Sequence, residues 1–145
     1  MNAAAERLIL VIDDNHDHIR IIEQTLNDSL SDSHIVAIAN GEAAINFLHR
    51  QGEYSASPRP DIVLLDLDLP NFDGLRFLED IKTDPHLRRI PIIVFTLTNQ
   101  SEQIFRSYAL QGNCYVLKSD DLQQLTDSIE RIREFWLGIV TLPVE

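Results

Sequence analysis

The stretch 62–70, Ile-Val-Leu-Leu-Asp-Leu-Asp-Leu-Pro, constrains this chain more than any other. Four bulky aliphatic residues in succession, with Pro60 before them and Pro70 after, fit a central strand buried on both faces rather than a half-exposed one. Such a strand ends on Asp66, which places a carboxylate at the carboxyl edge of a sheet, where open α/β proteins carry their sites. The stretch 8–12 repeats the pattern: an all-apolar run closing on Asp13 and Asp14, then Asn15, a residue able to cap a helix.

Between and beyond these runs the periodicity switches. Ile19, Ile22, Leu26 and Leu30 recur at helical spacing, which predicts a helix over 15–30 with one apolar face. A short strand is expected over 35–39, a turn at Asn40-Gly41, and a helix carrying Ala43, Ala44, Phe47 and Leu48, followed by an irregular stretch 51–60. After the central strand a turn over 71–74 leads into a helix whose Leu75, Leu78 and Ile81 face inward, ending near Asp84-Pro85. A fourth strand over 90–95, entered through Pro91, ends on Thr96, and Asn99 or Ser101 is expected to cap a helix to about Leu110. A fifth strand over 114–117 ends on Lys118. Asp120 is expected to start the last helix, with Leu122, Leu125, Ile129, Ile132 and Phe135 along one side.

Five strands alternating with five helices predict an α/β, doubly wound parallel sheet in a single domain of residues 1–145, with 136–145 as an apolar C-terminal extension. In the strand order 2-1-3-4-5 the first and third strands are neighbours, so Asp13, Asp14 and Asp66 converge. Three carboxylates at close range raise one another's pKa unless a cation joins them. With no histidine or cysteine in the set, a hard ion that keeps room for waters and a phosphoryl oxygen is favoured, which is the habit of Mg²⁺. Lys118 offers a positive charge and Thr96 a hydroxyl donor, so Asp66 is equipped as a nucleophile toward phosphorus.

Composition narrows the partners. With 23 acidic against 12 basic side chains and a formal charge of −11, the chain is a poor candidate for nucleic acid. The lone Cys114 excludes an internal disulfide and reads as a core thiol. The chain opens without a charged-then-apolar leader and has no apolar run near the ~20 residues of a membrane span, so no membrane partner and a cytoplasmic location are expected. His16, His18, His34, His49 and His86 are scattered and read as surface residues.

Taken together, Asp13, Asp14, Asp66, Thr96, Lys118 and Tyr115, three residues before that lysine, resemble the receiver domain of two-component response regulators over essentially the whole chain. The resemblance implies a flavodoxin-like receiver fold and a phosphoacceptor, Asp66, charged by a histidine kinase. It further implies Mg²⁺ bound directly by Asp14, through water by Asp13 and through the backbone carbonyl of Asp68, with Asp66 in the same metal set and Thr96 and Tyr115 as switch residues. The segments Gly52-Glu53-Tyr54, Asn113-Cys114-Tyr115, Lys118-Ser119 and the ending from Phe135-Trp136-Leu137 through Thr141-Leu142-Pro143 are similar to the small response regulators that partner cyanobacterial phytochromes. That likeness implies a phytochrome-type kinase and a homodimer through the fourth and fifth strand and helix region and the C-terminal extension. The apolar residues from Trp136 to Val144 are accordingly assigned to a partner rather than to the chain's own core.

Two positions depart from the family pattern. Ser119 stands where proline is usual, which leaves the Lys118-Ser119 bond open to either isomer, at about 3–4 kcal/mol for cis. Leu97 follows Thr96 where a small residue is usual, which predicts slower exchange with small phosphodonors than with the cognate kinase. The expected activity is that of a switch rather than an enzyme. Two other readings stay open: a phosphohydrolase of the haloacid dehalogenase type using Asp66 and Asp68, and a scaffold that binds proteins without phosphorylation.

Overall fold

The computed structural model describes residues 7–27, 33–139 and 141–143. Five strands, β1 (Arg7–Ile12), β2 (Ser33–Ile38), β3 (Ile62–Leu65), β4 (Ile92–Thr96) and β5 (Cys114–Leu117), form one parallel sheet in the order β2-β1-β3-β4-β5. The register sets Ile12 beside both Ile38 and Leu65, and Thr96 beside Leu117. The predicted order is therefore the observed one, and the strands end together at one edge.

Alternation along the inner strands feeds two cores. Leu8, Leu10 and Ile12 of β1 and Val63 and Leu65 of β3 face α2 (Gly41–Leu48) and α3 (Gly74–Thr83), where they meet Phe47, Phe77, Leu78 and Ile81. Ile9, Val11, Ile62 and Leu64 point the other way, against Ile22 and Leu26 of α1 (His16–Asn27) and Leu125, Ile129 and Ile132 of α5 (Leu122–Ile132). A strand covered on both faces must be apolar at every position, so β3 reads as an unbroken run. Helix α4 (Ser101–Ala109) buries only Ser107 and lies at the margin of the first layer. No described helix is long and apolar enough to cross a membrane.

Several local expectations are corrected. α4 begins after Gln100, which makes no side-chain cap bond, so neither Asn99 nor Ser101 caps it. α5 begins one residue later than expected, because Asp121 rather than Asp120 accepts the capping N–H, from Gln124. Leu122 and Phe135 are 57% and 51% exposed: one precedes and the other follows the stretch of α5 that lies on the sheet. The irregular stretch contains a 3-10 turn, Gly52–Tyr54, whose Tyr54 ring packs edge-on against Phe47. Beyond α5 the chain continues in a π-helical turn, Arg133–Ile139, and Trp136 and Leu137 pack against the second core. At least these two apolar residues of the extension fold back rather than wait for a partner, while Leu30, Val140 and Val144 lie outside the described residues. Cys114 packs beside them and is only half-buried, with burial raising its thiol pKa and a Trp136 hydrogen bond opposing that. No cis peptide bond occurs among the described residues, so Lys118-Ser119 is trans.

Candidate functional site

Backbone pairing carries on past the strand ends and delivers the site residues. The Asp66 amide donates to Ile12 O, the Asp13 amide to Ile38 O and the Lys118 amide to Thr96 O, at 2.9, 3.1 and 2.8 Å. Each site residue is thus the next rung of the ladder, held by the sheet rather than by a free loop. Asp13 and Asp66 then each fold the chain after them: Asp13 Oδ1 accepts the Asn15 N–H at 2.9 Å and Asp66 Oδ1 the Asp68 N–H at 2.9 Å. Asn15 in turn caps α1, accepting from the amides of Asp17 and His18.

The side chains converge as the sequence predicts. Asp13, Asp14 and Asp66 each bring a carboxylate oxygen within 4.8 Å of the others; Asp13 and Asp66 are buried and Asp14 is exposed. Lys118, itself buried, donates from Nζ to Asp13 Oδ2 and to Asp66 Oδ2, the latter at 2.9 Å. Burial pushes the Asp13 carboxyl above its ordinary range, against the pull of Lys118. Three carboxylates against one ammonium leave the pocket short of positive charge, and every donor atom is oxygen, so a hard divalent cation fits this group.

On the β4 side, Thr96 is fully buried, and its hydroxyl lies 2.9 Å from Asp66 Oδ1 and 2.8 Å from Asp68 Oδ2, sharing one hydrogen between them. Thr98 donates to the Asp68 carboxylate at 2.7 Å. Tyr115 Oη donates to Thr98 O at 2.6 Å, and burial, then the charges of Asp68 and Asp66, raise the Tyr115 pKa. Asp68 is thus tied through its side chain to both threonines. Leu97, between them, is 44% exposed.

Two residues of the site escape the sequence reading. His18 is buried, not a surface residue, and its Nδ1 lies 3.1 Å from Lys118 Nζ while Nε2 lies 3.9 Å from Asp120 Oδ1. The signal was its spacing: His18, Ile22, Thr25 and Leu26 form the buried stripe of α1. Thr98 carries no pattern of its own, since its role depends on where Asp68 points.

The sheet order, the converging acids and the Lys118 contact now coincide with the comparisons. A family model for the response regulator receiver domain matches residues 9–130. The chain belongs to the response regulator receiver family. It is 41% identical to response regulator Rcp1 of Synechocystis sp. (strain ATCC 27184 / PCC 6803 / Kazusa) over 137 residues, 94% of this chain and 93% of that protein. The crystal structure of the Mn²⁺-bound form of Rcp1 superposes with a TM-score of 0.92 at 40% identity, covering 95% of this chain and 99% of that one. The phosphorylated cyanobacterial phytochrome response regulator RcpA superposes with a TM-score of 0.94 at 41% identity, over 97% and 100%. The receiver fold and the relation to phytochrome response regulators both stand on these likenesses.

Proposed function

We propose that this receiver is a single-domain response regulator, residues 1–145 with 136–145 as a short extension, phosphorylated on Asp66 by a histidine kinase. The observation that carries the reading is the setting of Asp66: a buried carboxylate at the sheet edge, one oxygen on Lys118, the other on Thr96, beside the acid pair. In the transfer an Asp66 oxygen attacks phosphorus and a mixed carboxylic-phosphoric anhydride forms. The bond from phosphorus to the kinase histidine nitrogen breaks, and that nitrogen keeps the electron pair. Asp14 and Asp66, Asp13 through water and the Asp68 carbonyl would hold Mg²⁺. The bound ion supplies charge to the phosphoryl oxygens. Lys118 and Thr96 orient two of those oxygens by hydrogen bonds. The chain assists its own phosphorylation and slow dephosphorylation without turning over a substrate.

The switch runs through Thr96 and Tyr115. When Thr96 turns to a phosphoryl oxygen it leaves Asp68, and the shared Thr98 segment carries the change to Tyr115. Likeness to a phytochrome response regulator supports a phytochrome-type kinase as donor. Phe105 and Tyr108 of α4 and Leu117 of β5, 74%, 51% and 46% exposed, support a homodimer through this region. A monomer in light scattering at tens of micromolar, phosphorylated or not, counts against that dimer.

Phosphorylation is tested with acetyl phosphate and Mg²⁺, following the adduct by gel mobility and intact mass in wild type and Asp66→Asn. A slowly decaying, Mg²⁺-dependent adduct of one phosphoryl group, lost in the variant, is expected. Rapid turnover of many phosphate esters instead makes the chain a dehalogenase-type hydrolase, and no adduct at all makes it a scaffold.

A further inference from the structure

The opposite edge of the sheet is built with the reverse sign. A cleft of about 470 Å³ there is lined by Arg50, Arg59, Arg89, His49 and His86, with Asp84 as its one carboxylate. The guanidinium groups come from three separate segments: the end of α2, the residues before β3 and the residues before β4. A chain with a formal charge of −11 and only 12 lysines and arginines thus sets three of those cations around one concavity. Asp84 offsets one of these charges and is itself fixed by its own loop and by α2. Oδ1 accepts the His86 N–H at 2.8 Å and Oδ2 lies 3.7 Å from His49 Nδ1.

The backbone adds a second observation. α2 closes with the Arg50 amide on Phe47 O and the Gln51 amide on Asn46 O, a pairing that puts Arg50 in the left-handed position usually given to glycine, at φ 55°. A side chain there is strained by on the order of 1 kcal/mol. Arg50 thus occupies a position where glycine would be easier, and it is one of the residues that line the cleft.

We propose that this cleft binds a small phosphorylated anion, a phosphate ester or anhydride, at a site separate from the phosphorylation centre. Planar guanidinium forks match phosphate oxygens two at a time, and three guanidiniums against one carboxylate make the lining net cationic. The volume falls within the range of small-molecule sites and suits a ligand of about mononucleotide size. Four residues of β3, about 13 Å of strand, separate this edge from Asp66.

The test is isothermal titration of the full chain with pyrophosphate in the presence of a chelator, which silences the acid cluster. Wild type and Asp66→Asn are both expected to give a one-site isotherm. Arg59→Gln and Arg89→Gln are each expected to weaken binding about tenfold or more, the effect of one charge-assisted hydrogen bond. Arg59→Lys, which keeps the charge without the fork, should fall between, and its unchanged thermal transition would show that folding is intact. Adenosine diphosphate binding tighter than pyrophosphate identifies a nucleotide, and equal affinity identifies the phosphoanhydride alone; both support the site. No saturable binding up to about 10 mM, equal binding in the arginine variants, or loss in Asp66→Asn overturns it. Hexaglutamate binding as tightly as pyrophosphate also overturns it, in favour of an acidic peptide. Failure of Asp66 phosphorylation leaves these outcomes unchanged, so the two proposals fail separately.

Discussion

The two edges of the sheet each bury a lysine, and they hold it by different means. At the carboxyl edge Lys118 meets two carboxylates, Asp13 and Asp66. Toward the amino edge Lys82 of α3, equally buried, meets only the carbonyl oxygens of Arg88 and Ile90, at 3.2 and 2.8 Å. Carbonyl dipoles accept hydrogen bonds but carry no net charge, and burial pushes the Lys82 pKa down to about 8. At the carboxyl edge the buried ammonium is held by ion pairs, whereas at the α3–β4 loop the buried ammonium is held by backbone carbonyls.

The largest expected effect comes from removing the paired lysine. Lys118→Met leaves Asp13 and Asp66 buried together without a cation, and should cost about 3–5 kcal/mol at pH 7 in metal-free buffer. Calorimetry should show the loss shrinking as pH falls and the acids take up protons, and Mg²⁺ should restore part of it. A loss below about 1 kcal/mol would mean that Lys118 is not what holds the acids together.

Lys82 should show the opposite pH response. Between pH 8 and 10.5 the unfolded chain holds a proton that the folded chain has shed, so stability should rise with pH across that window. Below pH 8 the folded protein carries the full cost. Relative to Lys82→Met, which lacks this titration, wild type should gain on the order of 3 kcal/mol over the window. Parallel pH profiles from denaturant titrations would remove the contrast between the two lysines.

A smaller effect tests how tightly the carboxyl edge is closed. A Cβ on Gly41 would meet Phe72 Cδ1 at 2.0 Å, and the ring could move only by giving up its contact with Phe77 at 5.4 Å between centroids. Gly41→Ala should therefore cost about 1–3 kcal/mol, read as a lower denaturant midpoint at unchanged slope. The smallest change is Tyr115→Phe. It removes the bond to Thr98 O, worth about 1 kcal/mol. The fall in thermal midpoint should be slight, and it should vanish in a Tyr115→Phe, Asp68→Asn background if Asp68 sets the position of Thr98.

What could be read in advance follows from which properties are local. The runs 8–12 and 62–65 name their strands because a doubly covered strand has no polar position, and acids placed at their ends must meet once the order is β2-β1-β3. Asp121 as the cap of α5 could not be separated from Asp120, since the two differ only in which backbone N–H they reach. Leu122 and Phe135 continue the helical period but overrun the sheet. His18 was hidden for another reason. Its place on the buried stripe of α1 signals burial, but nothing local names the ammonium 100 residues away that it meets.

Lys118 has three hydrogens, and three acceptors surround it: Asp13 Oδ2, Asp66 Oδ2 and His18 Nδ1. The inventory is closed. Any oxygen arriving at Asp66 can claim a hydrogen from this ammonium only by exchange, evicting one of the three. The two carboxylates hold by charge and the imidazole by its lone pair alone, so the contact with α1 is the one given up at least cost. Occupancy of the centre would then be felt at the first turn of α1 as well as on the β4–β5 side, because His18 would lose its contact with Lys118.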